Sequence, residues 1–124
     1  MKIVLDTSGL IDMIKFKCNP ELFIDLTEEK VEFVVLTPII KELEGISKNK
    51  GKKGSEAKAA LMLLKAIQPN IVDVDIKNAD KAILKFAIQN NASVLTSDKR
   101  LKNELKKQGI IVFTVKRKNY IVKD

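Results

Sequence analysis

Ile3-Val4-Leu5-Asp6-Thr7-Ser8 is a short apolar run that ends in a carboxylate. Far down the chain, Ser93-Val94-Leu95-Thr96-Ser97-Asp98 follows the same plan. Continuous apolar runs of this length read as strands covered on both faces, as parallel strands are. In an open parallel α/β sheet, the carboxyl ends of the strands border the crevice where ligands bind. Each run therefore delivers an acid to that edge, where strand gives way to helix. Two such acids placed together repel unless a positive charge joins them, and the usual solution is a divalent metal ion.

Strand and helix alternate along the rest of the chain. Residues 2–5 read as the first strand and residues 8–16 as a helix, with a second apolar helix around Leu22-Phe23-Ile24-Asp25-Leu26. Phe33-Val34-Val35-Leu36 is the second strand, and Thr37-Pro38 opens a helix carrying Ile39, Leu43 and Ile46. Thr is a good N-cap and Pro is favoured at the first helical position. Residues 47–54 read as a polar loop punctuated by glycine. Ser55 caps the next helix, with Ala59, Leu63, Ala66 and Ile67 as its apolar stripe. Ile71-Val72-Asp73-Val74 is a third strand, and Asn78 caps a helix with Ile83, Phe86 and Ala87 inward. After the fourth strand, Val94-Leu95-Thr96, comes a basic helix from Lys99 to Lys107, with Gly109 suited to its C-terminal cap. Residues 110–115 form a fifth strand and Tyr120-Ile121-Val122 an edge strand. The pattern predicts an α/β fold: one three-layer α/β/α domain over residues 1–124, with a central, mostly parallel sheet.

Composition narrows the chemistry. The chain has no histidine and a single cysteine, Cys18. That removes Ser-His-Asp and Cys-His catalysis, imidazole ligands, disulfides and cysteine-based zinc sites. Carboxylates, lysines and hydroxyls remain. A formal net charge of +7 leans towards an anionic partner, of which nucleic acid is the commonest. No apolar stretch approaches the roughly 20 residues that span a bilayer, and the start of the chain lacks a signal-peptide pattern. The expected location is the cytoplasm.

Two more acids occupy comparable places. Glu42 lies one turn into the helix after the second strand, and Asp80 sits in the first turn of the helix capped by Asn78. Asp6, Glu42, Asp80 and Asp98 thus all lie at or within a turn of a strand-to-helix transition. Crowded carboxylates raise one another's pKa values, and Mg²⁺ or Mn²⁺ reverses that balance because hard cations take oxygen ligands. Such a site suits phosphodiester hydrolysis. Helical geometry does not choose Glu42 over Glu44, because two residues turn a helix by about 200°.

These motifs resemble those of PIN-domain ribonucleases. Asp6-Thr7-Ser8 matches the family's Asp-Thr-Ser/Asn, and Ile39, Glu42 and Leu43 match an apolar residue three before a Glu-Leu pair. Ala79-Asp80 matches an Ala-Asp pair opening a helix, and Thr96-Ser97-Asp98-Lys99-Arg100-Leu101 matches a closing Thr-x-Asp-x-x-Leu. The resemblance covers essentially the whole chain. It implies a five-stranded parallel sheet and metal-dependent endonucleolytic cleavage of RNA. Asp6, Glu42, Asp80 and Asp98 would bind the metal, with Ser8 and Thr96 as supporting hydroxyls. Only this match favours Glu42 over Glu44. Arg100 departs from the family, since many relatives carry another acid there; it weakens a second metal site or puts a cation near a phosphate.

Lys48, Lys50, Lys52 and Lys53 form a basic loop, and Lys99, Arg100 and Lys102 follow Asp98. Both groups are expected to hold an RNA backbone through salt-dependent contacts. Two biologies fit such a nuclease: rRNA processing with a pre-ribosome as partner, and the toxin of a toxin–antitoxin pair with an antitoxin protein as partner. A homodimer is common in the family. A non-catalytic RNA- or ribosome-binding module is the alternative from another class. A P-loop is excluded, since Gly-x4-Gly-Lys-Ser/Thr does not occur.

Overall fold

The computed structural model describes residues 1–22, 30–116 and 120–124. In chain order the elements are β1 (Lys2–Leu5), α1 (Thr7–Lys15), β2 (Glu32–Leu36), α2 (Thr37–Ser47), α3 (Lys52–Ile67) and β3 (Asn70–Val72). They continue with α4 (Ala79–Asn90), β4 (Ser93–Leu95), α5 (Lys99–Lys107), β5 (Val112–Lys116) and β6 (Tyr120–Lys123). The helix expected around Leu22–Leu26 lies, beyond Leu22, outside the described residues.

The strands form one sheet in the order β3-β2-β1-β4-β5-β6. Five run parallel, as the resemblance implies, and β6, the edge strand expected at Tyr120-Ile121-Val122, pairs antiparallel with β5. Ile3, Val4, Leu5, Val34, Val35, Leu36, Val94 and Leu95 are completely buried, as two-sided cover demands. Each such side chain contributes about 1.5–3 kcal/mol of burial. α1 packs with α3, and α4 with α5. Right-handed crossovers put the two pairs on opposite faces, because the chain steps one way from β1 to β3 and the other way from β4 to β5. No helix among the described residues is long and apolar enough to cross a membrane.

The reversal of strand order falls between β1 and β4, which pair in register with Leu5 opposite Leu95. A crevice opens at such a switch point, beyond the carboxyl ends of the two strands. Those strands are the apolar runs that lead to Asp6 and Asp98. Their close approach to α1 depends on Gly9, where a Cβ would lie 2.6 Å from the Leu95 carbonyl oxygen.

The helical hairpin departs from expectation. α3 starts at Lys52 rather than at Ser55, so only residues 48–51 separate it from α2. Gly51, at φ +90°, takes the sharp reversal, and a Cβ on Gly54 would lie 1.8 Å from the Asn49 carbonyl oxygen. The glycines thus make a tight helical crossing instead of a long loop. Ala57, Ala60 and Leu64 are the buried residues of α3; of the expected Ala59-Leu63-Ala66-Ile67 stripe, Leu63 and Ile67 pack half-buried against the core and Ala66 is exposed. Small side chains there let α3 lie close to α1 and α2.

Gly9→Ala is expected to destabilise the fold by about 1–3 kcal/mol, as overpacking does. Urea denaturation against the parent chain measures it; an unchanged midpoint would show that α1 shifts freely away from β4.

Candidate active site

The crevice is built around Asp6. Its backbone N–H continues the β1–β4 ladder by donating to the Leu95 carbonyl at 3.1 Å. Its side chain, 5% exposed, begins α1. Oδ1 accepts from the Thr7 N–H at 2.8 Å. Oδ2 accepts from the Thr96 hydroxyl at 2.7 Å and the Ser8 hydroxyl at 3.0 Å. Those hydroxyls lie 3.1 Å apart and accept in turn from the Asp98 and Ser97 N–H groups. Three donors thus occupy three of the roughly four lone-pair sites of a carboxylate, leaving one direction open. Burial pushes the Asp6 carboxyl above its ordinary pKa; the Thr96, Ser8 and Thr7 bonds hold it back, and Asp80 adds a smaller upward push.

Asp98 is both helix cap and wall of the crevice. Its Oδ1 accepts from the Arg100 and Leu101 N–H groups at 2.9 and 3.1 Å, the ordinary work of an N-cap. Asp80 lies in the first turn of α4, which Asn78 caps by accepting from the Lys81 N–H. Desolvation raises the Asp80 pKa, and Asp98, Glu42 and Glu104 raise it further, while Arg100 lowers it. Asp80 is therefore the electrostatic hub of the acids. Glu42 belongs to this group, whereas Glu44 lines a separate cavity with Ile40, Leu61 and Leu64. Tertiary packing thus separates the two glutamates that helical geometry alone left equivalent.

As the side chains lie, no three Asp, Glu, Cys or His residues among the described ones gather closely enough to grip an ion directly. The donor set itself is hard oxygen throughout, which suits Mg²⁺ or Mn²⁺. Desolvation is the main cause that raises the carboxyls of Asp6 and Asp80, and the neighbouring acids add repulsion to it, slightly at Asp6 and from three acids at Asp80; a divalent cation would offset both.

Glu104 is the acid that the sequence reading missed. It stands one turn from Arg100, with an ion-pair distance of 3.8 Å, and with Asp80 and Leu101 it lines a cavity of about 160 Å³. Its signal was the i, i+4 spacing to Arg100 on the helix that Asp98 caps.

The basic residues divide into three groups. Lys99 and Arg100 are exposed at the start of α5, beside the crevice. Lys102 instead points to the end of the chain, where it and Lys106 form ion pairs with Asp124. These two lysines hold the Asp124 carboxyl well below its ordinary pKa. Lys102, expected to contact RNA, is thus engaged by the neighbouring Asp124 carboxylate. Lys48, Lys50, Lys52 and Lys53 are exposed around the α2–α3 turn, Lys52 and Lys53 being helical. Lys52 lies beside Ile14, Lys15 and Phe16 at the far end of α1, about 15 Å of helix from Asp6. Cys18 is buried, and burial raises its thiol pKa, as suits an inert packing residue.

A family model described as a PIN-like domain matches residues 3–118. The chain belongs to the PIN-like family. Among PIN relatives, Ribonuclease VapC4 of Methanocaldococcus jannaschii is 41% identical over 122 residues, covering 96% of this chain and 93% of that protein. The PIN domain endonuclease Utp24 superposes with a TM-score of 0.84 at 22% identity, over 99% of this chain and 90% of that one. VapBC2 from Rickettsia felis, solved bound to a DNA fragment from its promoter, gives a TM-score of 0.63 at 19% identity, over 94% of this chain and 100% of the matched chain. The latter two likenesses establish the PIN fold.

The raised carboxyls fix the sign of a pH effect. Protonating Asp80 stabilises the fold, and that contribution is lost as pH rises through its elevated folded pKa. Asp80→Asn should therefore melt above the parent chain at neutral pH in EDTA. The gap should close as pH falls below about 4, the ordinary carboxylate range. Thermal melts followed by circular dichroism at both ends of that range test this; a gap that widens on acidification contradicts it.

Proposed function

We propose that the chain is an endoribonuclease that hydrolyses RNA phosphodiester bonds using Mg²⁺ or Mn²⁺ at Asp6, Glu42, Asp80 and Asp98. The observation that carries this reading is the buried Asp6 carboxylate, locked by Ser8, Thr96 and Thr7 at the switch point, with Asp80 coupled to the other acids. A carboxylate held at such a cost in desolvation needs a compensating partner. When bound, the divalent ion supplies an activated water and neutralises charge on the phosphoryl oxygens.

The residues of the chain divide the remaining work. Asp6 presents its one uncommitted direction into the crevice, and the two hydroxyls fix its orientation in the way that outer-shell partners orient metal ligands. Asp98 is immobilised by its capping bonds, so it too offers a fixed oxygen. Lys99 and Arg100, at the lip, meet the phosphates on either side of the scissile bond. The lysines of the α2–α3 turn lie farther off, where they hold the backbone without reading sequence.

The relationship to VapC4 supports a ribonuclease and, between the two biologies, the toxin partnered by an antitoxin protein. A small neighbouring gene whose product copurifies with this chain and blocks cutting would establish that role. Failure of any such partner to bind would return the weight to a processing nuclease. Homodimerisation is tested in the same preparation by light scattering.

Cleavage of a panel of single-stranded and hairpin RNAs tests the activity. Cutting is expected with Mn²⁺ or Mg²⁺ and not with EDTA, and Asp6→Asn should lower it by about a hundredfold or more. Equal cutting by both proteins would assign the activity to a contaminant. RNA binding that persists without cutting would favour the non-catalytic module. Thr96→Val removes a supporting hydroxyl and is expected to weaken Mn²⁺ binding about 10–100-fold, read by calorimetry; unchanged affinity would place Thr96 outside the site.

A further inference from the structure

At the same carboxyl edge of the sheet as the acids, the first turn of α2 and the segment between β3 and α4 line a further cavity, of about 440 Å³. That volume is within the ordinary range for small-molecule sites. Its position ties it to the acids. Lys41 on one wall adjoins Glu42 in sequence, and Lys77 on the other precedes Asp80 by three residues.

The wall is held in place by Thr37. Its hydroxyl was expected to cap α2, but Leu36 occupies the cap position and Thr37 reaches across instead. It donates to Asp73 Oδ1 at 3.1 Å and accepts from the Val74 N–H at 3.2 Å. The loop after β3 is thereby pinned to the helix that carries Glu42. Pro38, Val74 and Ile76 supply an apolar surface. Lys41, Asp73, Asp75 and Lys77 supply charge; Asp73 accepts from Thr37, while the side chains of Lys41, Asp75 and Lys77 are not committed to a hydrogen bond or ion pair among the described residues.

With Asp73 engaged by Thr37, one uncommitted carboxylate and two ammonium groups beside an apolar surface are complementary to a planar ligand with paired donors on one edge and paired acceptors on another. Among RNA bases, guanine has that arrangement. Its N1–H and N2–H₂ donors lie side by side for a carboxylate, which only accepts, and its O6 and N7 acceptors suit lysine. Adenine, cytosine and uracil would each turn an acceptor towards the same carboxylate. Single-stranded RNA offers such edges because its bases can be splayed out of the stack.

We propose that this cavity is a guanine subsite that selects where RNA is cut. Asp75 accepts from the Watson–Crick edge, Lys41 and Lys77 serve O6 and N7, and Pro38, Val74 and Ile76 take the face of the base. The assignment rests on the ribonuclease reading above and adds sequence preference to it.

The test is digestion of a randomised single-stranded RNA pool with Mn²⁺, followed by sequencing of the cut ends. Guanine is expected at one fixed position relative to the cut, and Asp75→Asn should lose that preference by roughly tenfold or more. Asp75 is exposed, so the variant should keep the parent's circular dichroism melt. Replacing the selected guanine by inosine, which lacks only the 2-amino group, should slow cutting by the wild-type chain and make no difference to Asp75→Asn. A binding arm uses Asp6→Asn with guanine- and inosine-bearing oligonucleotides. Tighter binding of the guanine form, lost when Asp75→Asn is added, supports the subsite. Wild-type cutting without a fixed guanine, or a preference that survives Asp75→Asn, overturns the subsite and leaves the ribonuclease standing. If nothing is cut, the ribonuclease reading falls and the binding arm decides: selectivity that requires Asp75 supports the subsite, and indifference overturns it.

Discussion

The parallel pairing of β1 with β4 is the constraint on which the rest of the molecule depends. Placing Leu5 opposite Leu95 puts the next residues, Asp6 and Thr96, side by side at the carboxyl edge. The Thr96 hydroxyl then donates to a carboxylate that is otherwise withdrawn from water. Ser8 completes the arrangement from the first turn of α1, which Gly9 allows to lie against Leu95. A one-residue slip in this pairing would flip the strand's side chains between faces. It would bury the apolar run incorrectly and separate the aspartate from its hydroxyls at the same time. Stability and site geometry are thus set by one register.

Around that fixed carboxylate the electrostatics are graded. Asp80 receives the repulsion of Asp98, Glu42 and Glu104, and Arg100 offsets part of it from the lip. The excess positive charge of the chain is divided between different tasks. Lys99 and Arg100 border the acids, while Lys102 and Lys106 close the β-sheet end of the chain by pairing with Asp124. Net charge is therefore a poor guide to which lysines meet a polyanion. The Asp124 carboxylate that engages two of them is set in place by its backbone bond to Val112 at the sheet edge.

Much of this was legible because the signals are local. Apolar runs ending in Asp6 and Asp98 marked the two central strands, Asn78 and Asp98 announced helix starts, and the lack of histidine narrowed the chemistry. The misreadings share a cause. On α3, the stripes Ala59-Leu63-Ala66-Ile67 and Ala57-Ala60-Leu64 both have helical spacing; the neighbouring helices bury the smaller one fully and leave Leu63 and Ile67 half-buried at its flank. Gly51 and Gly54 look like loop punctuation until the crossing helix shows that a side chain on Gly54 would strike Asn49. Thr37 is a sound N-cap by type, yet its hydroxyl serves the loop after β3.

The sequence by itself determined the alternation of elements, the strand ends that carry Asp6 and Asp98, and the all-oxygen chemistry, because propensity, capping and residue type act over a few neighbours. Only the tertiary structure decided that Glu42 rather than Glu44 joins Asp80, that Glu104 stands beside them, and that Lys102 turns away to Asp124. Each of these depends on the direction in which a helix faces after it has packed. That direction is settled by shape and charge contributed by residues far away in the chain, which no local pattern encodes.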